Sequence, residues 1–186
     1  VHLEETLTAL DTAVKQGKAL YVGVSSYSTK QTNAAVQACK NLNLVVPIIH
    51  QPNYSMLNRW VEQDLLDLCG GQGLGVIAFC PLFQGLLSDK YLNGIPENCR
   101  FSLPLSPLRK NEVNEQNLRV IRELNNLANA REQTLAQMSL SWVLRNKGVS
   151  SALMGASSVE QIRENLQAVK NLEFSLEEEM QIDRVV

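Results

Sequence analysis

The first part of the chain alternates between helix-like and strand-like spacing of apolar residues. From Leu3 to Lys18 the apolar residues recur every three or four positions, which predicts an amphipathic helix with a Gly stop in "QGKA". The run "ALYVGVSS" that follows is almost continuously apolar and has the length of a buried strand. Ser28 stands three residues before Gln31, the spacing of a capping box, so this strand is expected to lead directly into a second helix.

The same order of strand and helix recurs along the rest of the chain. Near-continuous apolar runs predict three further strands, "VVPIIHQ", "GVIAFCP" and "SSALMG". Helical spacing predicts helices over Thr29–Cys39, Val61–Leu68, Glu115–Ala130, Thr134–Arg145 and Val159 to about Leu172. Strands read as apolar runs when helices cover both faces of a parallel sheet. The sequence therefore predicts an α/β fold with a parallel sheet and helical crossovers.

One segment, residues 88–112, lacks hydrophobic periodicity. It includes "KYLNGIPENCRFSLPLSPLRKN", where Pro, Asn and Ser are concentrated, and it is longer than most loops in compact domains. Two interpretations stay open. The segment is either a disordered insertion or a flap that lies over a ligand.

Composition narrows the possible partners. The 186 residues carry a formal net charge of −2, which favours neither nucleic acid nor a membrane surface, and no apolar stretch approaches the roughly 18–20 residues of a membrane span. The length suits a single domain over residues 1–186. Four scattered cysteines without a CxxC pair, and only two histidines, indicate reduced thiols, a cytoplasmic protein and no bound metal. Because the chain begins at Val1 with no leader, we expect a piece of something longer.

Candidate chemistry lies immediately after the predicted strands, since parallel α/β folds bind ligands beyond the carboxyl ends of their strands. Ser25 and Ser26 follow the first strand, Gln51 closes the second and Phe79 lies at the end of the third. Hydroxyl and amide groups can hydrogen-bond a carboxamide, and an aromatic face can stack on a flat heterocycle. These four residues suggest a nicotinamide pocket. Taken separately, Phe79 also fits a core aromatic residue and Gln51 a structural capping residue.

The stretch "SALMGASSVEQIREN" after the fourth strand forms a small-residue corner followed by a helix start. Gly155 would let a ligand approach the backbone closely. Either Ser157 with Glu160 or Ser158 with Gln161 has the spacing of a helix cap, and the N–H groups beyond it would suit a phosphate. The alternative is an ordinary capped helix that binds nothing.

Longer stretches carry a family resemblance. "GKALYVGVSSYS", "IIHQPNYSMLNRW", "GVIAFCPLFQGLLSDKYLNGIP" and "LAQMSLSWVLRNKGVSSALMGASSVEQIREN" together resemble aldo-keto reductases. The resemblance is strongest to the branch that contains glyceraldehyde-3-phosphate reductase-like enzymes and potassium-channel β subunits. It covers nearly the whole chain and implies a (β/α)8 TIM barrel that binds NADP(H) and reduces a small carbonyl substrate.

The resemblance also implies roles for individual residues. Ser25, Ser26 and Gln51 would hold the nicotinamide carboxamide, and Phe79 would stack beneath the ring. The adenosine end of the cofactor would contact Gly155, Ser157, Gln161, Glu164 and Asn165. The pyrophosphate would contact Cys80, Pro81, Leu82, Phe83 and Gln84. Lys90 and Arg100, which belong to the flap, would contact phosphate groups.

The catalytic residues of the family are expected outside this sequence. The family uses a Tyr as general acid together with a Lys, an Asp and a His, all from the first half of the barrel. Aligned in this way, the chain runs from helix 4 through helix 8 of the barrel, and all four residues would precede Val1. We therefore assign no catalytic residue here and expect this segment alone to be inactive.

Three hypotheses follow. The chain is the cofactor-binding half of an NADPH-dependent oxidoreductase that reduces aldehydes or ketones. Alternatively, it belongs to a non-catalytic NADP(H)-binding regulatory or partner-binding subunit resembling potassium-channel β subunits. In the third hypothesis it is a remnant without function, and because a half barrel leaves open sheet edges, we expect it to self-associate as a homo-oligomer.

Overall fold

The computed structural model describes residues 2–92 and 114–186, which contain four strands and seven α-helices, with at least one α-helix after each strand. The strands are β1 (Gly23–Ser25), β2 (Ile49–Gln51), β3 (Gly75–Phe79) and β4 (Val149–Leu153). The α-helices are α1 (Leu3–Lys15), α2 (Thr29–Asn41), α3 (Leu65–Gln72), α4 (Glu115–Ala130), α5 (Leu135–Leu144), α6 (Val159–Asn165) and α7 (Leu176–Val185). Short 3-10 helices occupy Trp60–Glu62, Phe83–Gly85, Asp89–Tyr91 and Leu166–Lys170.

The four strands form one parallel sheet in the order β1-β2-β3-β4, which confirms the predicted α/β class. Val24 pairs with His50, and His50 pairs with Val76. All three are buried, so they face the helices. Side chains alternate along a strand, and the neighbouring pair Ser25 and Gln51 therefore lies on the opposite face. This second face is the more exposed one at the candidate site.

Local sequence signals explain several helix boundaries. Ser28 and Gln31 form the predicted capping box of α2, and Thr134 forms another at the start of α5. Helix α3 ends at Gly73, whose φ of 75° lies in the left-handed region that glycine enters without strain. Ser175 opens α7 with a third capping box. These caps fix where α2, α5 and α7 begin and where α3 ends.

The main core lies between the sheet and its covering helices. Its largest buried side chains include Trp142, Tyr54, Tyr91 and Met56, all at most 2% exposed. A smaller cluster of Leu7, Ala35 and Cys39 joins α1 to α2. Dense apolar packing on this face gives the strand ends on the other side a rigid support.

Several predicted boundaries need correction. Each strand is shorter than its apolar run, because hydrogen-bonded pairing covers only part of the run: "ALYVGVSS" contributes only Gly23–Ser25. The helix predicted over Val61–Leu68 is displaced to Leu65–Gln72 behind a 3-10 turn. The helix predicted from Val159 to about Leu172 changes to 3-10 geometry after Asn165. Helix α7 was not predicted.

The flap predicted over 88–112 lies outside the described residues except for 88–92. That short part includes the 3-10 helix Asp89–Tyr91, in which Lys90 is exposed and Tyr91 is buried. Within the described ranges, no helix combines the length and the apolar character that crossing a bilayer requires.

Candidate functional site

Most of the predicted site residues lie along one edge of the sheet. The strands are parallel, so Ser25, Gln51, Phe79 and Leu153 all mark carboxyl ends. Ser25 pairs with Gln51, and Phe79 pairs with Leu153, which keeps each pair on one face. Buried Val24, His50 and Ala78 precede Ser25, Gln51 and Phe79 on the opposite face. The edge therefore presents a hydroxyl, an amide and an aromatic ring on the same side.

Ser25, Ser26 and Gln51 form one hydrogen-bonded group. The Ser25 hydroxyl donates to the Gln51 backbone carbonyl at 2.8 Å, and the Ser26 N–H donates to the same oxygen at 3.1 Å. The Gln51 side-chain amide and the Ser26 hydroxyl have no hydrogen-bond partner in the described part of the chain. Ser25 therefore offers a ligand an acceptor oxygen, while Gln51 offers both a donor and an acceptor.

Phe79 is held in place through its backbone. Its N–H donates to the Pro52 carbonyl at 2.9 Å, and its carbonyl accepts from the Tyr54 N–H at 3.2 Å. Its side chain is half-buried. The predicted pyrophosphate segment turns directly after it: the Gln84 amide donates to the Cys80 sulfur at 3.2 Å, Pro81 is buried, and Leu82 and Phe83 are half-buried.

Backbone strain concentrates at these loops. Six non-glycine residues of the described ranges have positive φ, and four of them are predicted site residues: Ser26 (56°), Cys80 (54°), Phe83 (45°) and Gln84 (59°). Such conformations cost on the order of 1–3 kcal/mol each and gather at functional sites. The strain is an independent signal for this edge, and one that the amino-acid letters alone do not carry.

The corner after β4 is capped in one of the two predicted ways. The Gln161 N–H donates to the Ser158 hydroxyl at 3.2 Å, which caps α6. The Gln161 side-chain carbonyl accepts from the Ser157 N–H at 2.8 Å and from its hydroxyl at 3.2 Å. Ser157 thus has its donors engaged, whereas a side chain built at Gly155 would meet nothing within 4 Å. A phosphate at Ser157 would have to displace the Gln161 carbonyl.

Glu164 and Asn165 end the same helix in different surroundings. Glu164 is exposed, and its backbone carbonyl accepts from the Gln137 amide at 2.9 Å. Asn165 is only 4% exposed, and its Nδ2 has no partner within the described ranges. A buried amide without an acceptor is costly, so it marks a place where a ligand atom or a water molecule would fit. Lys90 lies in the chain that follows β3 and is exposed. Arg100 lies outside the described residues.

Two polar residues beside the site received no role from the sequence. His50 is fully buried, and its Nε2 lies 3.0 Å from the Tyr27 carbonyl oxygen. Burial lowers the pKa of His50, and the hydrogen bond to Tyr27 only partly opposes that shift. Asn53 forms an isolated bridge with Phe79 and has a buried Oδ1 without a partner in the described ranges. The sequence signal that could have identified both residues is their position at the end of the apolar run "VVPIIHQPN", where ligand-binding residues are expected.

Comparison with known proteins assigns the family. The Aldo/keto reductase family matches residues 1–186. The L-glyceraldehyde 3-phosphate reductases of Escherichia coli O157:H7 and of strain K12 are 49% and 48% identical over 98% of this chain. The chain spans about half of these curated relatives, 54% of each. A crystal structure of a thermostable aldo-keto reductase in complex with the inhibitor epalrestat superposes with a TM-score of 0.73 at 27% identity, covering all of this chain and 56% of that one. The chain therefore belongs to the aldo/keto reductase family and has its TIM-barrel-type fold.

Proposed function

We propose that the protein containing this chain is an NADPH-dependent oxidoreductase that reduces aldehydes or ketones, and that this chain carries its cofactor-binding half. The observation that carries the proposal is the shared face of Ser25, Gln51 and Phe79 at the carboxyl edge of the sheet. Family membership makes hydride transfer the expected chemistry, since NADPH supplies the hydride when it is bound. The chain's own residues bind and orient it.

The polar and aromatic groups of this edge suit the two ends of a dinucleotide. At one end, the Gln51 amide and the Ser25 oxygen complement the carbonyl and the NH2 of a carboxamide, and the half-buried Phe79 supplies a stacking face. At the other end, the buried amide nitrogen of Asn165 has no partner among residues 2–92 and 114–186, and Gly155 leaves open space. The residues present therefore fit the cofactor that the family uses.

The relatives support a substrate class. Two of them are named for the reduction of L-glyceraldehyde 3-phosphate. We take a small aldehyde, with or without a phosphate group, as the substrate of the intact protein. This choice rests on 49% sequence identity over 98% of this chain. In a TIM barrel the loops that select the substrate come from both halves, so this chain would supply only some of them.

The test is a titration of the intact protein with NADPH and with NADH, in which quenching of the fluorescence of Trp60 and Trp142 reports binding. NADPH should bind more tightly than NADH. Phe79→Ala should weaken NADPH binding by about 1–3 kcal/mol, roughly 5- to 150-fold, because one aromatic contact face is lost. Tyr21→Ala is the matched control, since Tyr21 is 69% exposed and precedes β1 at the other end of the sheet. Failure of both nucleotides to bind would refute the proposal.

A further inference from the structure

His50 is an unusual residue for the centre of a buried strand. It lies in the middle of β2, is 0% exposed, and pairs with Val24 on one side and Val76 on the other. Both neighbours are apolar and buried. An imidazole in such surroundings loses its hydration, so a polar contact must compensate.

The compensating contact fixes the state of the ring. Nε2 lies 3.0 Å from the Tyr27 carbonyl oxygen, and a carbonyl oxygen only accepts hydrogen bonds. Nε2 therefore carries a proton. Nδ1 has no partner within the described ranges. A second proton there would be buried without an acceptor, and accordingly the pKa of His50 is lowered by burial.

The acceptor belongs to the loop that carries two of the site residues. Ser25 and Ser26 are tied to the Gln51 carbonyl, and Ser28 is tied to α2 through its capping box. Between these two anchors, the Tyr27 carbonyl is held by His50. His50 and Gln51 are consecutive residues of β2, so one strand holds this loop at two points, through the His50 side chain and through the Gln51 backbone carbonyl.

The loop is one that needs such support. Ser26 has a φ of 56°, a conformation that non-glycine residues adopt only when their surroundings enforce it. Both Ser25 and Ser26 are exposed, so packing on the outer side does not immobilise them. A loop that is ordered before binding spends less conformational entropy when the ligand arrives.

We propose that His50 is a positioning residue for the nicotinamide end of the cofactor: its hydrogen bond to the Tyr27 carbonyl holds the Ser25–Ser26 loop in the geometry that binds the carboxamide. The inference rests on the proposed function. It concerns only one end of the dinucleotide, because the loop after β1 is distinct from the corner after β4, where Gly155 and Asn165 lie. It therefore predicts a selective effect.

The experiment compares two ligands on the intact protein, NADPH and 2′-phospho-ADP-ribose, which lacks the nicotinamide. His50→Leu removes the donor at similar size and should weaken NADPH binding roughly three- to tenfold, the effect of one ordinary hydrogen bond, with 2′-phospho-ADP-ribose unaffected. His50→Gln places an amide N–H near the position of Nε2 and should restore most of the NADPH affinity. His50→Asn, whose shorter amide does not reach that position, gives the same selective loss if the Leu variant does not fold.

The outcomes separate the inference from the function on which it rests. Equal losses for both ligands would mean general damage and would overturn the positioning role. Unchanged NADPH affinity in both donor-lacking variants would overturn it as well. If the unmodified protein bound 2′-phospho-ADP-ribose and NADPH equally well, the nicotinamide end would add nothing to the affinity, and the carboxamide contacts of the proposed function would be refuted before the role of His50.

Discussion

Arg131 is a nearly buried cation with several partners, and its replacement by Met should be strongly destabilising. It lies just after α4, and its side chain is 5% exposed. The guanidinium pairs with Glu178 in the first turn of α7, donates to the Glu173 carbonyl at 2.9 Å and to Gln133 at 3.0 Å, and lies 3.7 Å from the centre of the Phe174 ring. One side chain thus ties α4 to the chain that leads into α7.

The size of the loss follows from these contacts. Removing one partner of a buried ion pair costs about 3–5 kcal/mol, and a cation–π contact adds about 0.5–2 kcal/mol. Two features reduce the sum. The Glu178 side chain is 32% exposed and regains hydration, and Met keeps much of the aliphatic packing. We therefore expect the free energy of unfolding to fall by about 2–4 kcal/mol.

Urea denaturation of the intact protein measures this loss. The matched control is Arg119→Met, the same chemical change within α4, where the arginine is 78% exposed and lies 4.0 Å from Glu123. An exposed pair of this kind contributes about 0–1 kcal/mol, so the control should barely shift the midpoint. Equal midpoints for the two variants would show that the Arg131 contacts add nothing beyond those of a surface pair.

Two further predictions concern buried polar groups. Burial holds the pKa of His50 below its ordinary value of about 6.5, and the Tyr27 carbonyl only partly offsets this. The unfolded chain therefore takes up the proton at a higher pH than the folded chain, so the free energy of unfolding should decrease below about pH 6.5. Urea denaturation at several pH values between about 5 and 7 measures this decrease, and in His50→Gln the free energy of unfolding should change less with pH. Tyr54→Phe should cost about 1–3 kcal/mol, because the buried hydroxyl donates to Glu62 at 2.5 Å. Tyr21→Phe, at an exposed position, should leave the urea midpoint unchanged.

The order of elements was predictable because it depends on burial alone. Strands covered by helices must be apolar, and the alternation of apolar runs with helical spacing is visible without knowing any contact. The ends of strands depend instead on where hydrogen-bonded pairing stops. Leu20 and Tyr21 continue the apolar run before β1, yet they are 83% and 69% exposed and lie outside the ladder. Apolarity therefore overestimates strand length.

Helix α7 was missed because its apolar pattern is weak, although its start was marked. Leu176 and Met180 are 81% and 54% exposed, and Ile182 is the fully buried residue of the helix. Ser175 stands three residues before Glu178, the capping-box spacing that identified the start of α2. The cap was present in the letters, but the absence of a regular apolar stripe concealed the helix behind it.

Some features of the candidate site could likewise be predicted from the sequence, whereas others depend on contacts between distant residues. That Ser25, Gln51 and Phe79 lie at the ends of apolar runs is visible in the sequence, and parallel pairing then brings them to one edge. The pairings His50 with Tyr27 and Arg131 with Glu178 join residues 23 and 47 positions apart, and no local spacing encodes them. The sequence also does not show whether a hydrogen-bond donor is free to bind a ligand. Ser157 is a residue type that binds phosphate, but its N–H already donates to the side-chain oxygen of Gln161.

The strained residues distinguish two uses of a side chain at this edge. A left-handed backbone is least costly for glycine, so a non-glycine residue there points to a use for its side chain. At Gln84 that use lies within the protein, since its amide donates to the Cys80 sulfur. At Ser26 the hydroxyl has no partner among the described residues, and only its N–H is engaged, with Gln51. The loop after β3 thus uses the Gln84 side chain to hold itself, whereas the loop after β1 is held by the Gln51 backbone and His50, so that its Ser26 hydroxyl is available to the proposed cofactor.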